Sequence, residues 1–235
     1  MQRQAGAGAE RPYVLLSCAM SLDGYIDDAS PSRLRLSGEQ DLDRVDELRA
    51  SCDAIMIGAG TLRADDPVLM LRSPQRRAAR VASGHRPDPV RIVISASGKV
   101  DRAARLFGTG QDRIVYVASA AVAAAADRLG DVAIVADSGP QPRLETVLSD
   151  LAGRGVGRLM VEGGGSLLTQ FLTAGLADEL QLAIAPFFVG DPRAPRFAGP
   201  GEYPWNPRRR AVLTGVSRAG DMAVLHYALS GRAPA

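Results

Sequence analysis

Apolar residues recur along this chain in short runs whose period changes at glycines, and the clearest change lies within residues 158–172. Arg158-Leu-Met-Val161 is a brief apolar run, Glu162 and three glycines follow, and then Leu167, Leu168, Phe171 and Leu172 recur at helical spacing up to a stop at Gly175. This predicts a strand, a tight turn and a helix. Residues 13–20 read as an earlier strand that ends at a turn signal, Asp23-Gly24. Ser37-Gly38-Glu39-Gln40 matches a capping box, opening a helix with Leu42, Val45, Leu48 and Cys52 on one face. Residues 53–57 form a strand that runs into Gly58-Ala59-Gly60-Thr61, a second strand-to-turn junction. Residues 72–90, with five arginines, three prolines and little apolar periodicity, read as an exposed loop.

Beyond residue 90 the alternation is regular. Residues 91–95, 113–117, 132–136 and 157–161 are strand-like, and 120–129 and 143–152 are helix-like. In the second helix Leu144, Val147, Leu148 and Leu151 fall at i, i+3, i+4 and i+7. Residues 178–189 read as a longer strand and 192–207 as a Pro-rich loop holding Trp205. Residues 210–216 and 222–229 form a hairpin around 217–221. Strands alternating with helices imply an α/β fold: a mostly parallel central sheet, helices on both faces and an antiparallel C-terminal hairpin. Ligands then belong at the carboxyl ends of the strands. One domain is expected over residues 12–230, with tails at 1–11, read as disordered, and 231–235.

Composition adds exclusions. The 235 residues are 46% hydrophobic and 23% charged, ordinary for a globular protein, and a net charge of +2 gives no general attraction to nucleic acid. Aromatics at 5% argue against stacking platforms for single strands. Cys18 and Cys52 form no CxxC pair and read as buried reduced thiols. Met1 to Arg11 holds no apolar signal-like core, and no run approaches the roughly 18 apolar residues of a membrane span. A cytoplasmic protein without a membrane partner is expected.

The glycine-rich turn has two readings. It can cradle a phosphate, because bare backbone N–H groups and a helix N-terminus meet there, or it can be a turn that needs glycine dihedrals. Glu162 would repel a phosphate unless it points to a second ligand. Asp65-Asp66 could be a paired acid/base or metal site, or a loop bend before Pro67; with no histidine nearby in sequence, no metal is expected. His85 and His226 receive no role, and Trp205 reads as a packing or lid residue.

Several runs agree on one family: Ser21-Leu22-Asp23-Gly24; Arg49-Ala50 with Asp53-Ala54-Ile55; Gly58-x-Gly60-Thr61; Asp65-Asp66-Pro67; Glu162-Gly163-Gly164-Gly165; and Leu176-x-Asp178-Glu179-Leu180 with Ala185-Pro186. In this order they resemble the pyrimidine reductase family of riboflavin biosynthesis, whose fold is dihydrofolate-reductase-like and three-layered. The resemblance covers roughly residues 12–230. It implies NADPH-dependent reduction of the ribosylamino group of a pyrimidine 5′-phosphate to ribitylamino, by hydride transfer to the sugar C1′. By the same resemblance Thr61, Asp65, Gly163, Gly164, Gly165 and Ser166 fall at cofactor-contacting positions, and Arg49, Leu69, Arg72 and Glu162 at substrate-contacting ones. Asp65 and Glu162 are the catalytic candidates. Ser95, Ser97 and Lys99 could reach an adenosine 2′-phosphate or form a turn. A homodimer is implied, its interface placed on residues 178–189 and the Pro-rich sequel.

Two departures refine this expectation. Bifunctional bacterial members carry a lysine four residues before the Ser-Leu-Asp-Gly run, where this chain has Ser17, so it looks more like the stand-alone archaeal and fungal reductases, which act on the pyrimidine that still bears its amino group. The zinc-deaminase signature H-x-E with P-C-x-x-C is absent, so deaminase activity is not expected. A dihydrofolate or pterin reductase and a catalytically silent nucleotide-binding paralogue are the alternatives.

Overall fold

The computed structural model describes residues 11–30, 33–108, 110 and 112–234; apart from Arg11, the expected N-terminal tail lies outside them. Nine strands form one sheet in the order β5-β4-β3-β2-β6-β1-β7-β9-β8. They are β1 (Tyr13–Ser21), β2 (Ala54–Gly58), β3 (Val90–Ser95), β4 (Arg113–Val117), β5 (Ile134–Asp137), β6 (Arg158–Gly163), β7 (Glu179–Ala185), β8 (Val212–Ala219) and β9 (Met222–Ala228). β1 to β7 pair in parallel, and β9 and β8 add an antiparallel hairpin at one edge.

Alternation along the strands distributes side chains to two helical layers. Val14 and Leu159 share a face with Ala54 and pack beneath α6 (Leu144–Gly153) and α7 (Gly165–Thr173). All four apolar residues predicted for each helix, Leu144, Val147, Leu148 and Leu151, and Leu167, Leu168, Phe171 and Leu172, are buried there. Truncating Phe171 to alanine would cost about 3–5 kcal/mol. On the opposite face Leu15 and Met160 meet α1 (Glu39–Ala50), while Ile55, Ile57, Val93 and Val115 are covered by α2 (Ala59–Asp65), α4 (Arg105–Gly108) and α5 (Val122–Leu129).

The helix α1 differs from its expected form. Its N-cap is Gly38 without a side-chain cap, and the Ser37 hydroxyl donates to Asp41 (2.5 Å). Val45 and Leu48 are only half-buried, whereas Asp41 and Asp46 are buried. Asp46 accepts from the backbone N–H groups of Arg72 (2.5 Å) and Ser73 (3.2 Å), so a buried carboxylate pins the loop that follows Leu69.

Residues 72–90 are also not the expected solvated loop. They contain α3 (Pro74–Ala82), started by Pro74 at its first turn and by Ser73, whose hydroxyl accepts from the Arg76 N–H. Its buried residue is Arg80, a side chain that apolar periodicity does not reveal. β7 ends at Ala185, four residues short of the expected strand, and lies between β1 and β9, so it offers no free edge for a partner copy. The edge is β8, which exposes Val212, Leu213 and Val216. The hairpin turn is tighter than expected, since β8 runs through Ala219 and Gly220 takes φ +66°. Cys18 is half-buried and Cys52 buried, both free.

Candidate active site

The strand order reverses around β6 and β1, so the carboxyl ends of β1, β2 and β6 lie side by side, the place where open α/β sheets form a ligand crevice. The ladder between β2 and β6 slips there: Met56 pairs with Val161 but Ile57 with Gly163, so Glu162 is the extra residue of a bulge. Bulges re-aim side chains. Glu162 follows Met160 onto the α1 face, away from the glycine turn, and there it meets Arg49 in the last turn of α1. The guanidinium forks the carboxylate, Nε to Oε1 at 2.5 Å and Nη2 to Oε2 at 2.6 Å, with Nη1 3.4 Å from the Met70 carbonyl. Both side chains are largely buried, 17% and 13% exposed. Burial pulls the Arg49 pKa down, but the charge and hydrogen bonds of Glu162 outweigh it and hold it above the ordinary arginine value. The carboxylate that looked misplaced beside a phosphate cradle therefore has its charge met by Arg49.

The glycine run follows immediately. Gly163 (φ +145°) and Gly164 (φ +77°) hold dihedrals that side chains resist, and a Cβ at Gly163 would meet nothing within 4 Å. At Gly164 a Cβ would come 2.7 Å from the Thr61 hydroxyl, which fixes Thr61 against the turn. At Gly165, the first residue of α7, a Cβ would strike the Arg196 carbonyl oxygen. Open, side-chain-free backbone beside a nine-residue helix N-terminus suits a pyrophosphate.

The remaining residues implied by resemblance spread around this core. Ser166 is exposed one residue into α7. Asp65 ends α2, one turn beyond Thr61 on the same face, and lies 3.3 Å from Arg33; burial raises its pKa, which Arg33 opposes. Asp66 is left-handed (φ 40°) and accepts the Arg105 N–H (2.8 Å), which assigns it to a loop bend. Leu69 is also left-handed (φ 54°), but its side chain is 3% exposed in the core, so only its backbone can face a ligand. The Arg72 side chain runs along α1 to Glu39 (3.2 Å), roughly 15 Å of helix away from Arg49. The structure thus brings together Arg49, Glu162, Thr61 and the three glycines, and does not gather Arg72 with them.

A wall that the sequence did not reveal closes the other side. Arg196 stacks 4.3 Å over the Tyr25 ring and donates to the Tyr25 hydroxyl (2.8 Å), while Ile26 lies 3.6 Å from the Cβ direction of Gly165. Asp23 ties this wall to the loop after β7: desolvation works upward on it, but hydrogen bonds from the Ser21 hydroxyl and from the N–H groups of Val189 and Gly190 hold its pKa at about 2. A turn motif and a Pro-rich loop, with Tyr25 and Arg196 171 positions apart, carried no signal that they would meet. Ser95, which ends β3, is buried, and Lys99 beyond it is exposed. Ser17 is buried in β1, and Trp205 packs on the core with its indole N–H on the Leu229 carbonyl (3.0 Å). Among the described residues no cluster of three or more His, Cys, Asp or Glu could hold a metal, and no helix is long and apolar enough to cross a membrane.

A family model described as the RibD C-terminal domain matches residues 12–220. A 2,5-diamino-6-ribosylamino-4(3H)-pyrimidinone 5′-phosphate reductase from Archaeoglobus fulgidus is 40% identical over 186 residues, which covers 79% of this chain and 85% of that protein. Among solved structures, Acinetobacter baumannii RibD aligns with a TM-score of 0.78 at 23% identity, covering 94% of this chain, which spans 58% of that longer one. Dihydrofolate reductase from Enterococcus faecalis, solved with NADP(H), aligns over 92% of this chain and 95% of its own at a TM-score of 0.51 and 14% identity, a likeness of fold.

Proposed function

The chain belongs to the RibD C-terminal domain family, and from that premise we propose that it is an NADPH-dependent reductase of riboflavin biosynthesis. The substrate is 2,5-diamino-6-ribosylamino-4(3H)-pyrimidinone 5′-phosphate, still bearing its amino group, whose ribosylamino group becomes ribitylamino. Bound NADPH would supply the hydride to the sugar C1′. The observation that carries this reading is the adjacency of two unlike surfaces on consecutive residues of β6: a carboxylate held in a fork at Glu162 and side-chain-free backbone from Gly163.

Each residue then has a task that its position allows. Gly163, Gly164, Gly165 and Ser166 receive the cofactor's pyrophosphate, with Thr61 and Asp65 along the same rim. Arg49 orients Glu162, whose outward lone pairs accept from amino or hydroxyl groups of the substrate. Arg72 reaches the 5′-phosphate by leaving Glu39. Asp65, whose pKa burial raises, is the better placed of the two catalytic candidates to supply a proton, because Glu162 is held by two donors. The enzyme works as a homodimer in the cytoplasm, its copies meeting over the exposed apolar residues of β8.

The experiment is NADPH oxidation followed at 340 nm with the diamino substrate, its deaminated counterpart and dihydrofolate in parallel. Turnover mainly of the first is expected. Preference for dihydrofolate would move the function to folate chemistry, and silence with all three would remove the substrate.

A further inference from the structure

A partly open cavity lies at the other end of the sheet. A cavity of about 350 Å³ is lined by residues that open the strands: Asp53 before β2, Asp88 and Val90 at β3, Asp112 and Ile114 at β4, Ile134 at β5, and Gly155 and Val156 before β6. It is separated from the glycine crevice by the length of β2, roughly 16 Å. The volume falls in the range of small-molecule sites.

Its wall holds an unusual group. Arg80 is 7% exposed, yet among the described residues no carboxylate forms a salt bridge with it. Its Nε donates to the Arg86 carbonyl (2.9 Å), and Nη1 to the carbonyls of Ala50 (2.7 Å) and Cys52 (2.8 Å). Three carbonyls fix the fork's orientation, and Nη2 has none of these partners. Burial pulls the Arg80 pKa below the ordinary arginine value, outweighing Asp53 and Asp88, which favour its charge through space without touching it. Arg154 adds a cation at the rim, its Nε committed to Asp150 (2.7 Å), and His85 also lines the cavity.

The acids of the cavity are already engaged. Asp53 Oδ2 accepts from the N–H groups of Gly157 and Arg158 (both 2.9 Å), with Oδ1 3.8 Å from the His85 ring. Asp88 accepts from the Leu71 N–H (2.9 Å) and pairs with Arg77 (2.9 Å), and Asp112 pairs with Arg86. The helices α3 and α6 end here, and their last carbonyls are met by Ser83, Gly84, His85, Arg154, Gly155 and Val156. Opposite the cations lies an apolar floor of Val90, Ile114, Ile134 and Val156.

We infer that this cavity is a second binding site, for a compact organic anion whose planar apolar body lies on Ile114, Ile134 and Val156 while its carboxylate or phosphate faces Arg80 and Arg154. The site is independent of the cofactor crevice and of the reaction assigned there.

The full chain is titrated calorimetrically with phenyl phosphate, benzoate and the neutral isostere benzamide, each alone and with saturating NADPH. Both anions are expected to bind one per chain, benzamide at least tenfold more weakly, and NADPH to leave the values unchanged. The tighter of the two anions identifies the head group. Arg80→Ala removes three carbonyl contacts and can fail to fold, so the deciding variant is Ile134→Trp. Ile134 is 52% exposed on an edge strand, and an indole there fills the floor. A loss of at least tenfold in anion affinity with unaltered NADPH affinity supports the site. Equal binding of benzamide, displacement by NADPH, indifference to Ile134→Trp, or no binding of either anion at millimolar concentration overturns it.

Discussion

Arg49 and Glu162, 113 positions apart in the sequence, meet as a two-point fork with both bonds at or below 2.6 Å. The pair is the hinge between the helix α1 and the bulged end of β6. Arg49→Lys keeps the charge but loses the fork. Turnover is expected to fall about a hundredfold with the NADPH dissociation constant nearly unchanged, as for a misplacement of reacting groups. Glu162→Gln should behave in the same way. Steady-state kinetics alongside a fluorescence titration of NADPH separates this outcome from a general loss of folding.

Gly164→Ala places a methyl 2.7 Å from the Thr61 hydroxyl at a dihedral that alanine resists. NADPH affinity is expected to drop at least about tenfold, since the backbone can no longer approach closely. Adding Thr61→Ala should recover thermal stability but not affinity. Unchanged NADPH binding in the single variant would remove the glycine turn from the cofactor site.

Asp178 is buried and accepts from Arg11, Arg232, the Ser230 hydroxyl and the Val14 N–H. Burial raises its pKa, but these donors outweigh it and leave the carboxyl below its ordinary value. A depressed carboxyl stabilises the fold above its unfolded pKa of about 3.9 and ceases to do so as pH falls through the folded value. Asp178→Asn should therefore cost about 2–3 kcal/mol at pH 7, and the gap to the parent should narrow below about pH 4. Urea melts across that range measure it.

On β8, Val212, Leu213 and Val216 are 62%, 52% and 63% exposed on the sheet's outermost strand. Val216→Glu is expected to shift the proposed homodimer towards monomer in light scattering while leaving the fold's circular dichroism unaltered. A dimer of unaltered strength would place the contact elsewhere.

What could be read in advance follows from how each element gains its stability. Periodicity exposed α6 and α7 because their buried stripes are wholly apolar, and β1 to β4 and β6 because these parallel strands are largely covered on both faces. It misread α3, whose buried member is Arg80, and found only the weaker face of α1, whose buried members are Asp41 and Asp46. Capping chemistry misled at Ser37, since its hydroxyl found a carboxylate before it found a backbone N–H. The glycine turn and the awkward Glu162 were visible as a conflict of charge. Its resolution was not, because a bulge and a distant arginine supply it. Tyr25 and Arg196 were invisible for the same reason: a cation over a ring is a tertiary event with no local pattern.

The hub at Asp178 also joins the two ends of the described chain. Arg232 donates to the carbonyls of Arg11 (2.9 Å) and Pro12 (3.1 Å), so residues 11 and 232 are neighbours in space. A short peptide bridging them would close the backbone into a ring without disturbing the sheet. Opening that ring at an exposed turn such as Gly84 would give a circular permutant with every strand pairing preserved. The crevice would then be assembled from the same parts threaded in a different order, because its geometry depends on which strands lie side by side and not on which is made first.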